Sequence, residues 1–123
     1  MLLVVGVSSG AAADWVEVAK KDNTTVYADP ATISMGGNLV KMWSLYDFQT
    51  NQAIEGLTPY MSSRQQYEFD CKEKRLRTFS FSFHSANMAK GEVTVSATRT
   101  GNWEPIASGS TDEGLWRVAC RQR

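Results

Sequence analysis

The sequence predicts an α+β fold: antiparallel β-sheets of about six strands, with one C-terminal α-helix packed on the sheet and tied to it by a disulfide. Three observations lead there. Several segments alternate apolar and polar residues with period two, the mark of half-buried strands. The C-terminal stretch carries a helix start signal followed by apolar residues at helical spacing. The two cysteines, Cys71 and Cys120, fall one in a strand pattern and one in the helix pattern.

Trp15 to Ala19 reads as a first strand, and the polar Lys21-Asp22-Asn23 turn returns the chain through Thr25, Val26 and Tyr27 to make an N-terminal hairpin. Asp29-Pro30 breaks that strand, and Ala31 to Ser34 is expected to form one short helical turn, capped by Asp29, before Gly36-Gly37-Asn38. From Leu39 to Phe48 both alternating sets are largely apolar, so this strand is expected in the middle of the sheet. Gln49 to Pro59 is polar and reads as the longest loop.

Strand character resumes near Ser62. Tyr67, Phe69 and Cys71 alternate with Gln66, Glu68 and Asp70, which turns the rings and the cysteine inward and the carboxylates toward water. After the charged Lys72-Glu73-Lys74 turn, Phe79, Phe81 and Phe83 alternate with Thr78, Ser80 and Ser82. Val93, Val95 and Ala97 alternate with Thr94, Ser96 and Thr98 in the same way. Ser110-Thr111-Asp112-Glu113 fits a capping box, in which the serine hydroxyl accepts from the third helical amide and the glutamate reaches back to the cap amide. Beyond it Leu115, Trp116, Ala119 and Cys120 share one arc, which lays the helix on the sheet face carrying Cys71.

Residues 1–13 carry an apolar run from Leu2 to Val7 and end in Ala11-Ala12-Ala13, which reads as a signal peptide cut before Asp14. No Lys or Arg precedes the run, so the true start is expected upstream of Met1 or the signal is weak. The run is far shorter than the roughly 20 residues of a membrane-spanning helix. The remaining 14–123 make one domain in a periplasmic, secreted or cell-surface setting. There an even count of two cysteines reads as the Cys71–Cys120 disulfide, since no Cys-x-x-Cys spacing offers metal or redox work. Thirteen basic and thirteen acidic residues leave no net charge, which argues against a nucleic-acid partner.

The order of landmarks carries a resemblance: Trp15, Val26-Tyr27-Ala28-Asp29, the Val40 to Asp47 strand with Trp43, Phe69-Asp70-Cys71, and the Arg75 to Phe79 strand. Gly101-Asn102-Trp103-Glu104-Pro105-Ile106 and the ending from Ser108-Gly109-Ser110 to Ala119-Cys120 complete it. Over nearly the whole mature chain this resembles the surface-adhesin protein E family of small secreted proteins from Gram-negative bacteria. The resemblance implies an antiparallel β fold with a helix and, for the adhesin, binding of laminin, vitronectin and plasminogen. The leader lacks a lipobox cysteine.

Little else in the chain suggests chemistry, and no enzyme, metal or cofactor is expected. His84 is the only histidine, so a multi-histidine metal site is excluded and a Ser-His-Asp arrangement would depend on it alone. It is expected at the surface or as a cap. Asp29, Asp47 and Asp70 each adjoin apolar strand residues but are not expected to form a catalytic pair. No glycine-rich loop joins a strand to a helix. Asn23-Thr24-Thr25 matches a glycosylation sequon by chance.

The disulfide does imply one constellation. Lys72, Lys74 and Arg75 follow Cys71, while Arg117, Arg121 and Arg123 surround Cys120. Bridged Cα atoms sit only about 5.5 Å apart, so the six cations are expected to form a basic face suited to an anionic glycan, a lipid phosphate or an acidic protein segment. Tyr60, Met61 and Trp103 make a second candidate surface, and an uncovered sheet edge leaves monomer and homodimer both open. Three roles are thus in play: an envelope-associated binding protein of the adhesin type, a periplasmic structural or stress-related accessory, and a small hydrolase using His84.

Overall fold

The computed structural model describes residues 14–121; the expected signal peptide and Arg123 lie outside them. Six strands follow one another as an antiparallel meander: β1 (Val16–Lys21), β2 (Thr24–Gly36), β3 (Leu39–Gln52), β4 (Tyr60–Asp70), β5 (Arg75–His84) and β6 (Val93–Thr98). A short β7 (Glu104–Pro105) pairs with β5 beside Leu76, and α1 (Thr111–Cys120) closes the chain. β3 sits centrally between β2 and β4, as its two apolar faces require.

The expected helical turn at Ala31 to Ser34 does not form. Pro30 has no amide to donate, and the ladder with β3 lapses between Asp29 and Ser34. Thr32 bridges the gap: its hydroxyl donates to the Asp29 carbonyl at 2.7 Å and accepts from the Trp43 amide at 3.0 Å. The side chain stands in for backbone partners, so β2 runs on as a bulged strand.

The core lies between α1 and one face of the sheet. Val40, Met42, Phe69, Leu115 and Ala119 are fully buried there, with Val26, Leu76 and Ile106 around them. Gly114 lets the helix approach β1 so closely that an added Cβ would stand 2.7 Å from Val18 Cγ1. Trp116 Nε1 donates to the Asp70 carbonyl at 3.1 Å, and the Cys71–Cys120 disulfide, with Cα atoms 5.6 Å apart, fastens the helix end.

The helix cap departs from the expected box by one residue. Ser110 Oγ accepts from the Glu113 amide at 3.1 Å, but Glu113 Oε1 accepts from the Gly109 amide at 2.8 Å, because Ser110 N–H already donates to the Ala107 carbonyl. Asp70 is a second departure. It is buried rather than turned to water, because Oδ1 accepts from the Lys72 and Glu73 amides and Oδ2 from Arg75 Nε, which shapes the β4–β5 turn. Glu68 likewise pairs with Arg77 at 2.6 Å.

Candidate functional site

A helix of ten residues is about 15 Å long, whereas six strands span about 24 Å, so α1 cannot roof the whole face. It packs over β1 to β4. The register sets two rows beside it: Tyr46, Ser63, Phe83 and Val95 in one, Ser44, Gln65, Phe81 and Ala97 in the other. Ser44 and Ser63 are buried within them, whereas Gln65, Phe81, Phe83, Val95 and Ala97 stay partly or fully exposed. These rows form an aromatic trough. The rings of Tyr60 and Phe83 stack with centroids 4.1 Å apart, Phe48 meets Tyr60 edge-on at 5.9 Å, and Phe81 lies 5.3 Å from Phe83. The trough holds a groove of about 500 Å³ bounded by Gln65, Phe81, Phe83, Ala97 and Arg99, and a second of about 270 Å³ between Tyr46, Phe48, Tyr60 and Tyr67. Tyr46 and Tyr67 share a 2.8 Å hydrogen bond between their hydroxyls, and burial raises both phenols, Tyr67 to about 12.

The phenylalanine alternation therefore holds only in part. A bulge in the β4–β5 ladder between Gln66 and Tyr67 turns Phe79 to the opposite face, where the Lys41 ammonium lies 3.6 Å over its ring. Phe81 and Phe83 stay on the helix side but beyond the helix. The alternation marks them as the apolar set of a half-buried strand; the shortness of the helix is the signal that part of their face stays open.

Of the basic residues expected beside the disulfide, three are engaged by carboxylates. Lys74 Nζ lies 2.6 Å from Glu113 Oε2, Arg117 lies 3.6 Å from the same oxygen, and Arg75 pairs with Asp70 at 3.0 Å. The hydrogen bonds from Lys74 and from the Gly109 amide hold the Glu113 carboxyl down to about 2. Burial pushes Asp70 up, yet the Glu73 amide, Arg75 and the Lys72 amide outweigh it and keep that carboxyl below the ordinary range. Lys72 and Arg121 are exposed, and among the described residues neither has an ion pair. Trp103 folds back over β5, with the guanidinium groups of Arg75 and Arg77 at 4.5 and 4.2 Å from its ring, so it is separate from Tyr60.

His84 is buried, 5% exposed, and not at the surface as expected. Its Nε2 lies 2.7 Å from Ser82 Oγ, while Nδ1 meets no hydrogen-bond partner. Burial, and then the charge of Arg64, hold its pKa below the ordinary histidine value. A histidine and a hydroxyl side by side could activate a nucleophile only if a substrate reached them. Among the described residues no carboxylate bonds His84, and the described grooves open elsewhere. The aspartates have local work: Asp29 Oδ1 accepts from the Ala31 amide, and Asp47 Oδ1 from Asn87 Nδ2 and the Met88 amide of a single 3-10 turn at Asn87–Ala89. Among the described residues no group of three or more His, Cys, Asp or Glu is placed to hold a metal ion. No described helix is long and apolar enough to cross a membrane.

A six-strand meander whose tethered helix roofs only part of one face defines a small single-sheet domain with an open aromatic trough. The chain belongs to the surface-adhesin protein E family, whose profile matches residues 15–121. Solved structures of Haemophilus influenzae protein E are similar. Crystal form II aligns with a TM-score of 0.68 at 14% identity, covering 88% of this chain and 87% of that one. A second structure of the same protein gives 0.66 at 15%, covering 88% and 84%, and protein E from the non-typeable organism gives 0.61 at 15%, covering 87% and 75%. At such identities the likeness speaks for a shared fold. Among curated protein sequences none matches.

Proposed function

We propose that this chain is a secreted, envelope-associated and non-catalytic binding protein of the adhesin type, and that it holds a protein partner on the aromatic trough. The observation that carries this reading is the unroofed part of the helix-bearing face, where Phe48, Tyr60, Phe81 and Phe83 line a continuous surface next to Gln65 and Ser63. Aromatic rings provide large contact area with little side-chain freedom to lose, and the Gln65 amide, held by the Ser63 hydroxyl at 2.9 Å, fixes orientation. Membership of an adhesin family supports a host protein as the partner class.

Surface plasmon resonance on the oxidised chain from Asp14, with laminin, vitronectin, plasminogen and heparin, tests it. Saturable binding to a protein of the panel supports the reading. Silence across all four moves the role to a periplasmic structural or stress-related accessory.

Exposed Lys72 and Arg121 beside the disulfide favour one second reading, an anionic ligand at that junction. Three neighbouring cations already face carboxylates, so this surface is much less positive than the sequence suggests. Heparin-column retention that disappears when Lys72, Lys74, Arg117 and Arg121 become Gln supports it, and unchanged retention rejects it.

A further inference from the structure

The two edges of the sheet are treated differently. β1 carries Glu17, Lys20 and Lys21, has a bulge between Glu17 and Ala19, and is braced by α1 through Val18, all features that discourage another strand from pairing. β6 is Val93-Thr94-Val95-Ser96-Ala97-Thr98, with no charge and no proline. Its irregularity, at Thr94, is confined to the strand's start, and from Val95 to Thr98 the register with β5 is regular.

The hydrogen-bond phase fixes which groups β6 offers. Arg99 N–H donates to the Phe79 carbonyl at 3.0 Å. Antiparallel pairs alternate between bonded and non-bonded, so Ala97 and Val95 exchange bonds with Phe81 and Phe83. The amides and carbonyls of Ser96 and Thr98 therefore point away from the sheet. On the trough side the same stretch presents Val95 and Ala97. Strands lie about 4.8 Å apart, and Ala97 is small, so a long side chain on an added strand reaches across it into the groove at Phe81 and Phe83. Arg99 stands exposed at the rim and makes no ion pair among the described residues.

Building on the trough as the binding surface, we propose that the partner is engaged by strand addition. An extended segment of another protein pairs with the free edge of β6, sends alternate large apolar side chains over Ala97 into the groove, and sets a carboxylate on Arg99. Backbone bonds to Ser96 and Thr98 hold the segment, and the groove and Arg99 select its sequence.

Panning a phage-displayed library of linear 12-residue peptides on the oxidised chain tests this. The expected result is enrichment of sequences with large apolar residues at alternate positions and an Asp or Glu near one end. Ser96→Pro removes an amide that β5 does not use, a replacement edge strands tolerate. It should leave the melting temperature within a few degrees and weaken the enriched peptides at least tenfold. Arg99→Glu, at an exposed position, should weaken the carboxylate-bearing peptides by a similar factor and serves if Ser96→Pro folds poorly. No enrichment, or equal affinity in both variants, overturns strand addition. So does a dimer that Ser96→Pro splits in sedimentation, because a second copy then owns the edge. Panel binding that Ser96→Pro spares but a Tyr60→Thr, Phe81→Thr double variant destroys would leave the trough reading intact and remove only this inference.

Discussion

Tyr60 lies flat against Phe83, ring centroids 4.1 Å apart and planes 8° from parallel, on the part of the sheet face that α1 leaves bare. Tyr60 opens β4 and Phe83 is near the end of β5, so the pair joins the two grooves into one surface. The helix and the disulfide that set the limits of this surface make the first predictions.

Replacing Cys71 and Cys120 together with Ser should cost about 2–5 kcal/mol of stability, the usual range for a native bridge in a small domain. The bond spans 49 residues of sequence and holds α1 to the β4 end of the sheet. Urea unfolding of the oxidised wild type against the double variant measures it. A difference below about 1 kcal/mol would mean that Leu115, Ala119 and Trp116 dock the helix without help.

Gly114→Ala should destabilise. In an exposed helix the change would gain about 1 kcal/mol, but here the new methyl meets Val18 Cγ1 at 2.7 Å, and valine has few rotamers to escape into. Overpacking of this kind typically costs about 1–3 kcal/mol. A raised midpoint in chemical denaturation would show that the helix–β1 contact has room for a methyl group.

Acid should weaken the fold through Glu113. Its folded pKa, about 2, is below the ordinary 4.5, so the unfolded chain takes up the proton first as pH falls. The stabilisation is present above about 4.5 and is lost between there and about 2. Asp70 shifts the same way and adds to the loss. Thermal melts at pH 6, 4 and 2.5 should fall steadily in the wild type and less steeply in Glu113→Gln; parallel profiles would contradict the assignment.

His84 acts in a higher pH window. Its folded pKa is lowered from 6.5, so both states are neutral above that value, and below it the unfolded chain binds a proton that the folded chain resists. Stability should decline as pH drops below about 6.5 until the folded value is reached. An NMR titration of the His84 ring, placed below 6.5, checks this, and a value at or above 6.5 would show that Arg64 and burial do not govern it.

Much of this architecture was legible because local signals agreed with one another. Period-two alternation located β4, β5 and β6, the two-sided apolar pattern of β3 placed it centrally, and Ser110 marked the start of α1. What escaped depended on partners distant in sequence. Thr32 repairs the ladder across from Trp43, so β2 continues where Asp29-Pro30 looked like a break. The bulge opposite Tyr67 sends Phe79 to the other face, which no reading of β5 alone could reveal. The sequence shows cations adjoining both cysteines, but that Glu113 and Asp70 pair with Lys74 and Arg75 appears only in three dimensions. The trough itself needed the helix length set against the sheet width.

Binding through the trough is tested most directly by comparing the wild type with Tyr60→Thr, Phe81→Thr in surface plasmon resonance against laminin, vitronectin and plasminogen. Both changes keep strand-forming residues, and circular dichroism should show the fold retained. Saturable binding of at least one of these proteins by the wild type is expected, with a loss of tenfold or more in the double variant. Equal binding by the two proteins would contradict the trough as the binding surface.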